Sequence, residues 1–132
     1  MAIVYRQMDE GVAVVYMNNN ENLQDLPFSQ ALNAVLDEAV ADTETRAIVL
    51  TSSDPKFFSN GIHVNWLMEK YAAQEFQAIR DFCYGMDEVF KKLLLAPVPA
   101  IAAINGHAFG NGAILSCACD FRFMKSDRGF FC

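Results

Sequence analysis

The sequence predicts an α/β fold: an opening hairpin, then strands alternating with helices, so that parallel strand pairs are joined by right-handed crossovers. Three observations predict it. Residues 3–6 and 12–17 are β-branched and aromatic runs on either side of Asp9-Glu10-Gly11, the signature of an antiparallel hairpin. From Ser29 onward the apolar residues switch to three- and four-residue steps, the period of a helix face. Residues 47–50 and 101–104 are short and wholly apolar, as strands covered on both faces are.

Each element follows in order. Residues 18–22 (Asn-Asn-Asn-Glu-Asn) form a polar loop. Phe28, Leu32, Val35, Leu36, Ala39 and Val40 give the first helix its apolar face, and residues 42–45 close it. After the strand at 47–50, Thr51-Ser52-Ser53-Asp54-Pro55 is a loop, and a second helix starts near His63. A long helix spans residues 74–95, with a stripe of Phe76, Ile79, Phe82, Cys83, Met86, Val89, Phe90, Leu93 and Leu94, and Pro97 and Pro99 end it. Asn105-Gly106 turns the strand at 101–104. Gly110-Asn111-Gly112 precedes a short apolar helix through Cys117, and residues 120–124 form a third strand.

Composition narrows the function classes. The chain has 132 residues, which predicts one domain whose core needs no disulfide staples. With 53% hydrophobic and 20% charged residues it is not a disordered chain. Ten Lys and Arg against a net charge of −6 argue against nucleic acid as the main partner. No run reaches the roughly eighteen apolar residues of a membrane span. Residues 1–6 carry neither the basic nor the long apolar region of a secretory signal. Cys83, Cys117, Cys119 and Cys132 read as buried, reduced thiols; the Cys117/Cys119 spacing is not that of a zinc knuckle, so no metal site is expected. The apolar ending Gly129-Phe130-Phe131-Cys132 reads as a chain cut inside its fold.

Two segments carry the chemistry, residues 56–66 and 101–120. Each is a buried strand, a glycine-containing turn and a helix. Such a turn presents unpaired backbone N–H groups with the positive end of a helix dipole behind them. Two of them face to face would make an oxyanion hole, suited to a reaction in which negative charge grows on a carbonyl oxygen. The plain alternative is a pair of tight turns without function. Gly106, Gly110 and Gly112 fit neither the dinucleotide fingerprint nor a Walker loop, and no G-x-S-x-G elbow is present.

The same residues carry a family resemblance. Lys-Phe-Phe-Ser-Asn-Gly at 56–61, Ile-Ala-Ala-Ile-Asn-Gly-His-Ala-Phe-Gly-Asn-Gly at 101–112 and Cys-Asp-Phe-Arg-Phe at 119–123 resemble the crotonase (enoyl-CoA hydratase/isomerase) superfamily, in order and over essentially the whole chain. Phe57-Phe58-Ser59-Asn60-Gly61 together with residues 123–129 is most similar to the delta(3)-delta(2)-enoyl-CoA isomerases, particularly the peroxisomal type. The resemblance implies a spiral of β-β-α units, of which residues 1–132 would be the N-terminal core domain, about half of a subunit. It implies that the backbone N–H groups of Ile62 and Asn111 form the oxyanion hole. Position 111 is normally Gly, so Asn is a departure. Phe58, Ser59, Asn60, Gly61 and Ile62 would line the coenzyme A cleft. Gly106, Phe109, Gly110, Asn111 and Gly112 would form the opposite wall. Trp66, Leu67 and Phe109 face either the acyl pocket or the core.

Resembling hydratases use two glutamates, the first two residues after the second glycine cluster. Here that residue is Ile114, and no Asp or Glu occurs between Glu88 and Asp120. Resembling isomerases use one glutamate, which would lie beyond Cys132. The resemblance therefore implies an isomerase moving a 3-enoyl-CoA double bond to the 2-trans position. The alternatives are a hydratase-like, thioesterase or dehalogenase activity, or a fragment that binds acyl-CoA without catalysis. Coenzyme A would be part of the substrate, with no separate cofactor. The resemblance also implies a homo-oligomer, a trimer or pair of trimers, in a bacterial cytoplasm or a peroxisome. His63 reads as a polar turn residue and His107 as peripheral. Asp120 reads as a cap or strand start. Asp37-Glu38 and Asp87-Glu88 read as solvated helix faces, and Lys56, Lys91 and Lys92 as surface cations.

Overall fold

In a computed structural model that describes residues 2–132, β1 (Val4–Asp9) and β2 (Val12–Met17) pair antiparallel, Val4 opposite Met17 and Asp9 opposite Val12. The two-residue turn between them has positive φ at both positions, 50° at Glu10 and 87° at Gly11, which matches the right-handed twist of the strands. The rings of Tyr5 and Tyr16 stack across the pair at 4.9 Å.

From β2 the chain crosses through α1 (Leu26–Ala41) to β3 (Ala47–Ser52), which lies parallel to β2 with Ala13 beside Ile48. Asp25 caps α1: its carboxylate accepts from the Phe28 N–H at 3.0 Å. β4 (Phe57–Ser59), α2 (Val64–Ala72) and α3 (Phe76–Leu94) follow, then β5 (Ala100–Ile104), β6 (His107–Ala108), α4 (Asn111–Cys117) and β7 (Phe121–Met124). The main sheet has the order β1-β2-β3-β5-β7, and β4 pairs with β6 in a separate two-stranded sheet. The α/β class, the hairpin and the parallel pairs agree with the sequence reading. No helix among the described residues is long and apolar enough to cross a membrane.

α1 and α3 pack together. Phe28, Leu32, Leu36 and Ala39 of α1 and Phe82, Met86, Val89 and Leu93 of α3 are buried. Gly85 permits the contact: a Cβ there would stand 2.7 Å from the Ser29 Oγ. The Asn33 amide donates to the Gly85 carbonyl at 2.8 Å, and Lys92 donates to the Asn33 Oδ1 at 2.9 Å.

The structure corrects several readings of the sequence. Val40, Phe76, Cys83 and Leu94 belong to the apolar stripes but are exposed. Only the 82-86-89-93 line of α3 is fully buried, and the rest of its stripe lies wide of it. α3 begins at Phe76 rather than 74, because Gln74 has φ +58° and breaks the chain path between α2 and α3. α4 begins at Asn111, inside the glycine cluster rather than after it. Asp120 precedes β7 and ties it to β5: its carboxylate accepts from the Ala100 N–H at 2.8 Å.

The cysteines differ most from expectation. Only Cys119 is buried; Cys83, Cys117 and Cys132 are exposed because they lie on outward faces or past the last strand. Burial pushes the Cys119 thiol up to about 12, outweighing the nearby Arg122 guanidinium, which favours the thiolate. The neutral thiol is therefore the folded form at every physiological pH. A thiol titration of the native chain at pH 8 should show three fast-reacting cysteines, with Cys119 reacting only after denaturant is added. Four fast thiols would contradict this burial.

Candidate active site

Two strand–turn–helix units stand side by side. In the first, β4 runs into residues 60–63 and α2. In the second, β6 runs into Phe109-Gly110 and α4. β4 and β6 are parallel, with Phe57 beside His107 and Ser59 beside Ala108. The His107 N–H donates to the Lys56 carbonyl at 2.8 Å, and the Phe109 N–H donates to the Ser59 carbonyl at 3.0 Å. This ladder brings the two glycine turns, far apart in sequence, onto each other.

Glycine is required where they meet. Gly61 has φ +84°, and a Cβ there would lie 2.7 Å from the Phe109 carbonyl oxygen and 3.2 Å from the Asn111 nitrogen. At Gly112 a Cβ would overlap the Ser59 carbonyl oxygen, a backbone atom that cannot swing aside. The backbones of the two turns thus touch directly.

The N–H groups of Ile62 and Asn111 have no acceptor among the described residues. The cause is geometric in both cases. Ile62 forms a parallel bridge with Gln24, in which the neighbouring groups are used: the Gln24 N–H donates to the Gly61 carbonyl (2.8 Å) and the His63 N–H to the Gln24 carbonyl (2.8 Å). In such a bridge the intervening residue points its own N–H the other way. Asn111 is the first residue of α4, where no intrahelical acceptor exists. The Gly112 N–H turns back to the Phe109 carbonyl (2.9 Å), leaving that of Asn111 free.

A buried polar network holds the arrangement. The Asn22 amide donates to the Ser52 Oγ (2.8 Å) and to the Phe58 carbonyl (2.9 Å). The Ser59 hydroxyl donates to the Asn22 carbonyl (2.8 Å) and accepts from the Gly61 N–H (3.2 Å). The Gln24 Nε2 donates to the Ser59 Oγ and the Asn111 carbonyl, both at 3.3 Å. The Asn111 Nδ2 donates to the Gln24 Oε1 at 2.6 Å. Asn111 is not among the residues with positive φ, so a side chain is accommodated at a position normally Gly in the resembling family.

The remaining candidates lie around this centre. Phe58 and Ser59 are fully buried, main chain included, and their carbonyls accept from the Asn22 amide and the Phe109 N–H, so they support the cleft from beneath rather than line it, contrary to the sequence reading. The Asn60 Oδ1 is buried without a donor among the described residues. Gly106 packs on the Lys56 backbone, while Gly110 is open on the side where a Cβ would project. Trp66 is half-buried and meets Phe82 edge-on at 5.5 Å, and Leu67 is half-buried beside it in sequence. Phe109 stacks on His107 at 5.0 Å, and His107 on Phe130 at 5.6 Å. His63 pairs with Asp25 at 3.0 Å. A cleft of about 730 Å³ opens beside the second unit, lined by Lys56, His107, Asp127, Arg128 and Phe130 among others. Ile62 (37%) and Ile114 (55%) are exposed, which gives the site an apolar rather than acidic outer surface.

Asn22 and Gln24 escape a reading of the sequence alone. They fall in or beside a polar loop, and nothing local separates a fully buried amide from a solvated one. Asn22 sits in a turn with φ +51° and Gln24 in the bridge that follows, so no local periodicity marks either.

Comparison with known proteins follows the same geometry. The family model for enoyl-CoA hydratase/isomerase matches residues 7–131. Enoyl-CoA delta isomerase 2, peroxisomal, of Arabidopsis thaliana is 35% identical over 100 residues, 73% of this chain and 40% of the relative. The short-chain-enoyl-CoA hydratase of Clostridium acetobutylicum is 31% identical over 121 residues, 90% of this chain and 45% of the relative. The crystal structure of an enoyl-CoA hydratase from Geobacillus kaustophilus superposes with a TM-score of 0.84 at 29% identity, over 98% of this chain and 48% of that one. The chain thus spans under half the length of these relatives.

The contact at Gly112 predicts that Gly112→Ala destabilises the chain by about 1–3 kcal/mol or more, the cost of overpacking against a fixed backbone. Urea denaturation checks it; an unchanged midpoint would show that the turns are not in contact.

Proposed function

The chain belongs to the enoyl-CoA hydratase/isomerase family, and from that premise we propose that it builds the thioester-binding half of an acyl-CoA isomerase. In this reading the thioester carbonyl accepts hydrogen bonds from the Ile62 and Asn111 N–H groups. A base removes a proton from C2 of a 3-enoyl-CoA. The electron pair moves onto the carbonyl oxygen as an enolate, which the two donors stabilise. Return of the proton at C4 breaks the C3–C4 double bond and leaves one between C2 and C3. The segment Phe58–Gly61 borders the coenzyme A portion, with Asn60 its partly exposed residue, and Trp66 and Phe109 border the acyl chain. Coenzyme A enters as part of the substrate.

The observation that carries the isomerase reading is Ile114. Resembling hydratases hold a glutamate at that position. Here an apolar side chain stands on α4, in a stretch without Asp or Glu from 89 to 119. A single carboxylate from sequence beyond Cys132 then serves as both acid and base, contributing roughly a hundred- to ten-thousand-fold. The proposal includes assembly as a trimer or a pair of trimers, in a bacterial cytoplasm or a peroxisome. A hydratase is the second reading, favoured by the match to the Clostridium hydratase.

Separate assays of the full-length protein with 3-enoyl-CoA and 2-enoyl-CoA decide between them. Isomerisation of the former is expected; water addition to the latter as the main reaction would replace this reading. Asn111→Pro removes the backbone donor at a helix position that tolerates proline, and Asn111→Ala, which loses the same side-chain bond to Gln24 but keeps the N–H, is its control. The proline variant should lower isomerisation by about a hundred- to a thousand-fold. Undiminished turnover in a folded variant would remove Asn111 from the oxyanion hole.

A further inference from the structure

We infer that Gln24 is a positioning residue of this site, fixing the Asn111 N–H relative to the Ile62 N–H so that both reach one oxygen atom. The inference rests on the acyl-CoA reading above. Its basis is that Gln24 bonds to both turns at once. Its backbone grips the first: its N–H donates to the Gly61 carbonyl and its carbonyl accepts from the His63 N–H, each at 2.8 Å, on either side of Ile62. Its side chain grips the second: Nε2 donates to the Asn111 carbonyl (3.3 Å) and Oε1 accepts from Asn111 Nδ2 (2.6 Å). The residues are 87 positions apart, so no local structure could set this spacing.

The orientation of the Gln24 amide follows from its partners. The Asn111 carbonyl can only accept, so the group facing it is Nε2, which leaves Oε1 for the Asn111 amide. Nε2 also donates to the Ser59 Oγ (3.3 Å), so every polar atom of the Gln24 side chain is used. Gln24 is fully buried, so removing a partner leaves a polar atom unpaired away from bulk solvent. Two donors serving one oxygen depend on angle as much as distance, since hydrogen bonds weaken steeply off line. A residue holding both donor peptides therefore sets how well the pair works. Asn111 takes part through its side chain as well, which a glycine at that position would not.

The test uses acetoacetyl-CoA, a thioester whose enolate absorbs in the near ultraviolet. Donors that favour the bound enolate over the keto form lower its apparent pKa. Gln24→Met keeps the volume and removes the hydrogen bonds; it should cut the enolate-to-keto ratio about tenfold at fixed pH. A purely structural role would shrink the signal with the folded fraction but leave the apparent pKa in place. Asn111→Ala attacks the contact from its other end and should act in the same direction, which keeps the test open if Gln24→Met does not fold. In the double variant the combined loss should be smaller than the sum of the two, because the Nδ2–Oε1 bond is common to both. An unmoved apparent pKa in either folded single variant, or strictly additive losses, would overturn the role of Gln24 alone. No enolate signal with the unaltered protein would overturn the acyl-CoA reading itself, and this inference with it.

Discussion

Everything at the centre of this molecule depends on two backbones meeting without side chains between them. The carbonyl of Ser59 occupies the space where Gly112 would carry a Cβ, and a Cβ on Gly61 would stand 2.7 Å from the Phe109 carbonyl oxygen. Contact at that distance fixes β4 against β6, puts the start of α4 beside the end of β4, and leaves two adjacent peptides with free N–H groups. Larger residues would force the units apart, and the N–H groups would then belong to two unrelated turns.

Close backbone approach alone would leave the two turns free to slide. The Asn22–Ser59–Gln24–Asn111 network prevents this by joining the loop before α1 to both of them. Buried amides are costly unless paired, and here the fully buried Asn22 and Gln24 each make several hydrogen bonds. The network therefore favours one arrangement over nearby alternatives, because any shift strands several polar groups at once. Asp25 extends the same logic outward. One carboxylate oxygen caps α1 and the other faces His63 at the mouth of α2.

Much of this was legible in the sequence, for physical reasons that differ by element. The hairpin could be read because Glu10-Gly11 is turn chemistry between two β-rich runs. α1 could be read because its buried positions recur at the helical period. The two glycine turns and their family resemblance pointed to Ile62 and Asn111, whose free N–H groups arise from bridge and helix-start geometry. What could not be read is what tertiary contact decides. Gln74 has no sequence mark of its left-handed backbone. The outer part of the α3 stripe looks like its buried line until a neighbour chooses between them. Cys83, Cys117 and Cys119 share apolar surroundings in sequence, yet only the last turns inward. Gln24 was hidden because its partner lies at the far end of the chain.

β7 has a consequence beyond the site it borders. It is the last strand in the order of its sheet, paired on one side with β5, and all four of its residues are exposed, Phe121 and Phe123 by 57% and 67%. Its outer edge and the two aromatic rings offer backbone groups and apolar surface on which a further strand can pair and pack. Arg122, between the rings, turns its guanidinium back to the Cys119 carbonyl at 2.9 Å, which leaves the edge with one fewer charge projecting into solvent.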